Sequence, residues 1–430
     1  HIVPEVGIYP NTTIYTFLTA ASVTGMFSSS FSDIPIPYSV NYSPTSAFLI
    51  VSPFIITPVP NSALSGNARA VADYLFCTSF DFSNQDLVNL AIALTALPPS
   101  GYQSALTTLT PAPFAAFALE ELENNYNVAS TFFAQQVGQN PPCCEGIDAT
   151  TNIWLSPIGF IYTQDNQHET PGFNDHTYGV SGGVDGLVAD DLSIGVGLGY
   201  THTHLNWNWG RGRSNANSAY LGPYLKYNYK AFYLDFLVLG VGNFYDVSRR
   251  IQFPGYSRKA DSHPTTWDVS ETLLVGLRFG PLCRSGILFQ PEIRLDQFNM
   301  FLRRFTESGA GAINLDVENR YSSFFRTLVN AKFAREWSVC NTCLVPSVNV
   351  GWLRTTPLTG NHYTTKFRND TFCQPNFTVP GFHKTINQVL VGAQFLASYQ
   401  GCFDFSLGYQ GKFGKGATVN EVNMGLNWRF

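Results

Sequence analysis

The chain has 430 residues, of which 13% are charged and 15% aromatic, and its formal net charge is −5 at pH 7. The charged fraction lies well under the ~25% of soluble proteins, and a negative balance argues against a nucleic-acid partner. No run of about 18 apolar residues occurs, so a membrane helix is not expected. The composition favours a β-rich membrane protein over an enzyme core.

Residues 1–57 contain short apolar stretches, such as 13–18 and 47–51, separated by turn residues. This spacing predicts short strands. We expect them to form the end of a β-solenoid, although a small irregular β-cap fits the periodicity nearly as well.

Residues 58–137 are rich in alanine and leucine at helical spacing, which predicts a helical junction. The last helix is predicted over 113–136, because Pro113 is tolerated in a first helical turn. At 1.5 Å per residue it would be about 35 Å long, enough to thread a pore of bilayer height. Its candidate pore-helix residues are Phe117, Leu119, Leu122, Asn124, Asn125, Phe132 and Phe133. Packing outside a barrel is the alternative, because the segment is only weakly amphipathic.

Residues 138–151 form a linker, and along residues 152–430 apolar and polar side chains alternate. Twelve strands are expected, at about 152–163, 176–188, 191–204, 216–229, 231–245, 264–279, 286–299, 321–335, 343–355, 383–399, 402–412 and 419–430. Strands with one apolar and one polar face predict a closed barrel in a bilayer, because an open edge would leave unpaired backbone groups in hydrocarbon.

The last strand shows the two faces most clearly. Val422, Met424 and Trp428 fall on one side, and Glu421 and Arg429 fall on the side expected to line the lumen. The predicted fold class is an all-β membrane protein: a 12-stranded antiparallel transmembrane β-barrel with an N-terminal helical segment, including the pore helix, and a short β-solenoid-like stub.

The connections between the predicted strands alternate in length. Those after strands two, four, six, eight and ten are short, and those after one, three, five, seven and nine are long and polar. In barrels of this kind long loops face the outside and short turns face the periplasm. The C-terminus and the start of the first strand are therefore expected on the periplasmic side.

Several stretches carry a resemblance to a known family. They include I-G-V-G-L-G-Y at 194–200, the junction segments 67–72 and 105–111, and the terminal W-R-F. The most specific is F-T-E-S-G-A-G, whose residues are Phe305, Thr306, Glu307, Ser308, Gly309, Ala310 and Gly311. With these stretches the chain resembles the C-terminal β-barrel translocator domain, with a passenger stub, of the autotransporter (type V secretion) family.

The resemblance implies a barrel in the outer membrane of a Gram-negative bacterium, with a helix in its lumen and a passenger that reaches the cell surface. Outer-membrane lipid is then a partner. Trp428 and Phe430 resemble the assembly signal that the outer-membrane assembly machinery reads. Few residues of a passenger precede the barrel. We therefore expect that the passenger was either cut off before His1 or never large. Because H-I-V-P-E-V lacks the parts of a signal peptide, we expect His1 to be a processed end or a fragment boundary.

Eight cysteines in an exported protein indicate disulfides, because the periplasm is oxidising. Six of them map to short turns or to the linker: Cys143, Cys144, Cys283, Cys340, Cys343 and Cys402. Bridges within the chain and disulfide-linked homo- or hetero-oligomers both remain open. Zinc bound by Cys340-x-x-Cys343 with Cys143-Cys144 is a weaker alternative, and no metal or cofactor is expected.

Asn124-Asn125 loosely resembles the junction at which some autotransporters cleave themselves, and a solvated helix face is the alternative. No Ser-His-Asp set has a suitable spacing, so no catalytic residue is predicted and the chain is not expected to be an enzyme. A structural or porin-like barrel, cross-linked by disulfides in the envelope, is the main alternative function. An outer-membrane enzyme is a weaker third.

Overall fold

Five short strands begin the chain in the computed structural model, which describes residues 2–3, 5–30, 37–76, 80–133, 150–282, 286–359, 362–368, 376–400 and 402–430. They are β1 (Gly7–Tyr9), β2 (Thr13–Thr19), β3 (Tyr38–Ser43), β4 (Ser46–Val51) and β5 (Phe54–Ile56). β1 pairs with β5, and β4 lies between β2 and β3, all antiparallel.

This arrangement differs from the parallel rungs of the predicted β-solenoid and corresponds to the alternative, a small β-cap. The reason is the length of the connections. Only Pro44 and Thr45 separate β3 from β4, and so short a turn pairs neighbouring strands antiparallel, whereas parallel strands need a longer crossover.

Four helices follow: α1 (Gly66–Leu75), α2 (Gln85–Thr95), α3 (Pro99–Thr107) and α4 (Ala116–Phe133). The Asn84 side chain caps α2 by accepting a hydrogen bond from the backbone N–H of Asp86. The last helix begins at Ala116 instead of 113, because the proline-containing segment before it forms a 3-10 turn, Ala112–Ala115. Among the described residues, no helix is long and apolar enough to cross a membrane.

Twelve long strands close into a barrel. They are β6 (Thr151–Gln164), β7 (Phe173–Ala189), β8 (Leu192–Trp207), β9 (Gly212–Tyr229), β10 (Phe232–Phe253), β12 (Thr265–Leu277), β14 (Ile287–Leu302), β17 (Arg320–Arg335), β19 (Thr342–Pro357), β22 (Ile386–Tyr399), β23 (Phe403–Gly414) and β24 (Ala417–Arg429). Each pairs antiparallel with the next, and β24 pairs with β6, so the ring is closed. The predicted 12-stranded antiparallel barrel is confirmed.

Shorter strands extend the two rims of the barrel. They are β11 (Tyr256–Ser262), β13 (Phe279–Leu282), β15 (Phe305–Thr306), β16 (Leu315–Val317), β18 (Trp337–Val339), β20 (His362–Phe367) and β21 (Phe377–Pro380). β15, β16, β20 and β21 form a separate sheet. It packs on α1, since the Tyr74 ring lies 5.5 Å from that of Phe367 and 4.9 Å from that of Phe377.

The outward face of the barrel is apolar. Leu198, Val348 and Trp428 are 65%, 56% and 62% exposed, and similar side chains surround the ring. A continuous apolar belt of this size far exceeds the patches that soluble monomers leave in water. The inward positions carry polar and charged side chains such as Thr201 and Arg326, which are buried. The belt therefore fits hydrocarbon, as the alternation predicted.

We call the end that carries the turns at 190–191 and 230–231 the short-turn rim, and the opposite end the long-loop rim. The connection between β23 and β24, residues 415–416, is a tight turn at the long-loop rim. Of the connections predicted to be long, the one after β8 is short, because only residues 208–211 connect to β9. The prediction of a long loop there was wrong. β8 and β9 continue as a hairpin beyond the apolar belt. There the inward face of β8 carries Leu205 and Trp207, which are buried, and the outward face carries His204 and Asn206, so apolar side chains no longer mark the outward face although the strand continues.

Candidate functional site

Helix α4 lies inside the barrel. Every residue of α4 except Ser130 is buried, and the helix contacts the inward faces of β6, β7, β8, β10, β12 and β14. The predicted pore-helix residues are all among the buried ones, and the alternative of packing outside the barrel is excluded. A cavity of about 120 Å³ lies beside the second half of the helix. The helix therefore occupies the lumen.

The direction of α4 follows from its aromatic ends. Before the helix begins, the Phe114 ring packs against Phe305 of the long-loop rim at 5.1 Å. At the other end, Phe132 packs against Trp154 at 4.9 Å, close to the start of β6. The helix thus runs from the long-loop rim to the short-turn rim.

One carboxylate anchors the helix to two distant strands. Glu123 accepts a hydrogen bond from Nη2 of Arg326 on β17 at 3.0 Å, and another from Nζ of Lys412 on β23. Lys412 Nζ also donates to Oδ1 of Asn127 at 2.7 Å. All four side chains are buried. Charges in a low-dielectric interior are stable only when paired, so this network fixes the depth of α4 in the lumen.

The ring of Tyr126 lies among three cations. Its centroid is 3.9 Å from Cζ of Arg294, 4.0 Å from Nζ of Lys412 and 4.9 Å from Cζ of Arg326. Arg294 also donates to Ser130 Oγ at 2.7 Å and to the backbone oxygen of Tyr126 at 3.2 Å. Desolvated cations over an aromatic ring are attracted to its face. Arg294 is also paired with Asp296, at 2.7 Å. The three cations therefore hold one face of the helix against β14, β17 and β23.

A second side of the lumen is acidic. Glu121 accepts a hydrogen bond from the Tyr245 hydroxyl at 2.5 Å, and Glu120 interacts electrostatically with Asp175 and Asp268. All these carboxylates are buried. Since Tyr245 binds one face of α4 and Arg326 and Lys412 bind another, the helix is fixed in rotation as well as in depth.

Asn124 and Asn125 lie in an unbroken part of α4. Asn124 Nδ2 donates to Thr203 Oγ1 at 3.4 Å, and Asn125 Oδ1 accepts from Ser270 Oγ at 3.0 Å. Both side chains are buried, so the alternative of a solvated helix face is wrong. Self-cleavage at this pair stays a prediction.

The F-T-E-S-G-A-G stretch lies in the loop between β14 and β17, and its Glu307 forms a buried ion pair with Arg249 of β10. Arg249 donates to Glu307 from Nε at 2.7 Å and from Nη2 at 2.6 Å, and both side chains are buried. Arg249 Nη1 also donates to the backbone oxygen of Thr108, just after α3, at 3.0 Å. Glu307 Oε2 accepts from the N–H of Leu315 at 2.8 Å. Removal of one partner from such a pair costs about 3–5 kcal/mol.

The two glycines of this stretch have backbone conformations that other residues rarely adopt. Gly309 has φ 95° and Gly311 has φ 64°. A Cβ atom on Gly311 would lie 2.2 Å from a carboxylate oxygen of Asp86 on α2. The stretch therefore joins the loop to β10, to the end of α3 and to α2, which explains its specific sequence.

Trp428 and Phe430 lie on the outward face at the short-turn rim, with ring centroids 6.3 Å apart. The backbone of Phe430 exchanges two hydrogen bonds with Thr151 at the start of β6, of 3.0 and 3.1 Å. On the inward face of the same strand, Glu421 is buried and Arg429 pairs with Asp404. The last residue therefore completes the seam between the first and last barrel strands.

The cysteines fall into two groups. Cys340 is exposed and free in the turn between β18 and β19, and Cys402 is half-buried and free. Cys343 is buried and disulfide-bonded, which removes its thiolate from the alternative zinc site. Within the described part of the chain no group of three or more metal-ligating side chains occurs. The candidates outside the described residues are Cys143, Cys144 and Cys283, together with Cys77 and Cys373.

Sequence reasoning missed the residues that hold the helix. Glu123, Tyr126, Arg294, Arg326 and Lys412 were not singled out. One pattern indicated them: the three cations occupy inward positions in the middle of strands, in a chain with few charges. Charged side chains at such positions need a partner within the lumen.

The comparisons with known proteins agree with this geometry. Residues 153–410 match the family model described as Autotransporter beta-domain. No curated protein matches the sequence significantly. One similar solved structure is the translocator domain of autotransporter NalP from Neisseria meningitidis, with 13% identity, a TM-score of 0.57, and coverage of 75% of this chain and 100% of that one. Another is the beta domain of the Bordetella autotransporter BrkA, with 17% identity, a TM-score of 0.51, and coverage of 65% and 100%. At these identities the likeness concerns the fold.

Proposed function

The chain belongs to the autotransporter family, and from this premise we propose that α4 is the part of the chain left in the pore after export. The barrel is an outer-membrane translocator for a passenger N-terminal to it, and its apolar belt contacts outer-membrane lipid. Its short-turn rim faces the periplasm.

The direction of α4 carries this proposal. The helix enters the lumen at the long-loop rim and ends at the short-turn rim, where β6 begins. Residues before α4 are thereby on the outer side, although they precede the barrel in the sequence. A chain reaches this arrangement when its N-terminal part passes outward through the barrel and the last segment stays behind.

The lumen then has two roles in sequence. While the passenger crosses, the polar inward face offers water and weak contacts to a moving chain. When α4 arrives, its Glu123 meets Arg326 and Lys412, and its Tyr126 meets Arg294. These contacts are specific to one register of the helix, so they stop the chain and close the pore. The proposal gives the barrel no catalytic step, and hydrolysis of a lipid ester by the purified protein would refute this part.

A pair of epitope tags tests the export proposal. We expect a tag placed before residue 1 to bind antibody on intact Gram-negative cells, because the N-terminal segment lies outside. The same tag inserted after Lys230, in a turn of the short-turn rim, should bind only after the outer membrane is permeabilised. If the second tag bound antibody on intact cells, the short-turn rim would face outward and the proposed orientation would be wrong. If the first tag did not bind, the N-terminal segment would not be exported.

We further propose that Cys340 links two molecules through the periplasm. Its side chain is exposed in a turn and carries a free thiol, and the periplasm favours disulfides. Non-reducing electrophoresis should show a dimer that disappears with reductant and in Cys340→Ser. Cys402→Ser is the matched control, and it should keep the dimer, because Cys402 is half-buried. A dimer that survives Cys340→Ser, or no dimer in the wild type, counts against the link.

Outer-membrane assembly machinery is the second proposed partner. The exposed rings of Trp428 and Phe430 lie together on the outward face at the short-turn rim, where they are accessible to a periplasmic factor. The consequence for insertion is the first prediction of the Discussion.

A further inference from the structure

A polar groove runs along the outer side of the long-loop rim. It consists of two adjoining cavities of about 670 and 810 Å³ that share Gly210 and Arg250. The first lies between α3, the loop 165–172 and the turn 208–211. The second continues along the extensions of β9, β10 and β11. We call these two cavities together the rim groove. It is separate from the lumen, and its role does not depend on export.

The second cavity is strongly basic. Four cations line it: Arg213, Arg250, Arg258 and Lys259. Arg258 lies 3.8 Å from Asp86, and Lys259 lies 3.0 Å from Asp261. Within the described residues, the side chains of Arg213 and Arg250 have no hydrogen-bond or ion-pair partner. Two unpaired guanidinium groups in a concave surface concentrate positive potential there.

Two buried donors near the groove lack an acceptor. Arg211 is 7% exposed; its Nη2 donates to Thr107 Oγ1 at 2.8 Å, whereas its Nη1 is buried without a partner. The Trp207 ring packs away from the groove, against Phe114 and Phe117, and its buried Nε1 has no partner either. Burial, with a smaller contribution from nearby Arg249, lowers the pKa of Arg211 to about 10, so the group stays charged at neutral pH. A buried guanidinium without a carboxylate therefore adds positive potential to the groove above it.

An exposed aromatic ring stands at the junction of the two cavities. Trp209 is 52% exposed and has φ 58°, a backbone conformation that is uncommon outside glycine. Its ring lies 5.9 Å from Cζ of Arg211. Strained backbone of this kind persists where the surrounding structure holds it in place, often at ligand sites. Here it presents a flat apolar face beside polar groups.

The lining indicates the class of ligand. Trp209 lines the first cavity together with the hydroxyls of Ser100 and Ser104 and the amides of Gln103 and Gln252. The carboxylate of Glu169 is already occupied, since it accepts from Gln103 Nε2 at 2.9 Å and from the N–H of Asn67. Hydroxyl and amide groups around one aromatic ring suit a sugar, whose ring has an apolar face and polar edges. The cations of the second cavity require that the sugar be acidic.

We propose that the rim groove binds an acidic oligosaccharide, with one sugar ring stacked on Trp209 and acidic groups paired with Arg213 and Arg250. An inorganic anion alone would leave most of the two cavities empty. An acidic peptide is a poorer fit, because it would not offer Trp209 a flat ring with one apolar face and polar edges.

Isothermal titration of the detergent-solubilised full chain tests the proposal, with a heparin-derived octasaccharide as the acidic probe and maltooctaose as the neutral one. We expect the acidic probe to bind and the neutral probe to bind at least about tenfold more weakly, because charge-assisted hydrogen bonds are lost. In Arg213→Gln/Arg250→Gln the affinity should also fall at least about tenfold. In Trp209→Ala it should fall about fivefold, from loss of the stacking surface.

Lys230→Gln is the matched control, since it removes an exposed cation from the opposite rim, and its affinity should equal that of the wild type. A heat-dependent shift in electrophoretic mobility shows that each variant is folded. If the double arginine variant does not fold, Trp209→Ala alone still tests the proposal. The proposal would be overturned if Lys230→Gln weakened binding as much as the double arginine variant, or if maltooctaose bound as tightly as the acidic probe. It would also be overturned if the wild type bound no acidic probe at about 1 mM. Competition by purified lipopolysaccharide would identify the cell's own surface as the source of the saccharide, and lack of competition would point to a saccharide from outside.

Discussion

Deletion of Phe430 is expected to abolish insertion of the barrel into the outer membrane. In the folded barrel this residue contributes two backbone hydrogen bonds to Thr151 and an exposed ring. Each such bond contributes only about 0.5–1.5 kcal/mol, so the folded state should survive the deletion. A complete loss in cells would therefore reflect failed recognition by the assembly machinery, not an unstable barrel.

Two measurements separate these causes. Heat-modifiable barrel in outer-membrane fractions should disappear in the deletion strain, whereas the same variant refolded in detergent should still show the mobility shift. Phe403→Ala is the matched control, because Phe403 is an outward aromatic that lies opposite Trp428 on the neighbouring strand. It should insert normally, and Phe430→Trp should insert as well. Wild-type amounts of barrel in the deletion strain would rule out the terminal residue as the signal.

Substitution Glu123→Ala is expected to lower the free energy of unfolding by about 3–5 kcal/mol and to free the helix. Arg326 and Lys412 would stay buried in the lumen without their carboxylate. Arg326 would keep Thr355, at 3.0 Å, and Lys412 would keep Asn127, but neither partner carries a charge. With α4 no longer fixed, conductance across a planar bilayer should rise above the low level of the filled barrel.

Urea titration and bilayer recordings of the purified protein measure both effects. Asp191→Ala removes an exposed carboxylate in a turn and should change the unfolding free energy by less than about 0.5 kcal/mol. The triple substitution of Glu123, Arg326 and Lys412 by Met should restore much of the stability, because replacing a buried ion network by apolar side chains is often neutral. If Glu123→Ala unfolds like the wild type and stays closed, the network does not hold the helix.

The barrel could be predicted from sequence because the cause of its strands is local. Lipid on one side and a polar lumen on the other require apolar and polar side chains to alternate along each strand. This alternation can be read from consecutive residues, as in β24. The prediction failed after β8 for the same reason. Beyond the bilayer, the apolar residues Leu205 and Trp207 of the strand lie on the inward face, so the outward apolar pattern that marks the other strands is absent there.

The contacts of the lumen could not be predicted in the same way. Glu123 meets Arg326, 203 residues later in the chain, and Lys412, 289 residues later. Alternation shows that these side chains face inward, but not which strand stands opposite which face of the helix. That depends on the closure of the ring and the depth of α4. Only one partner of the Arg249–Glu307 pair could be identified from the sequence. Glu307 belongs to the recognised F-T-E-S-G-A-G stretch, whereas Arg249 lies beyond residue 245, the predicted end of its strand.

An engineered disulfide tests the central claim, that α4 occupies the lumen of a closed outer-membrane barrel, most directly. Thr131 of α4 and Ser181 of β7 are buried with their hydroxyl oxygens 2.6 Å apart. In Thr131→Cys/Ser181→Cys, peptide mapping by mass spectrometry of outer membranes from intact cells should find these two positions joined. If the two introduced thiols stayed unlinked in a fully inserted barrel, and the one on α4 reacted with a membrane-impermeant thiol reagent, the helix would lie outside the lumen and the account would be contradicted.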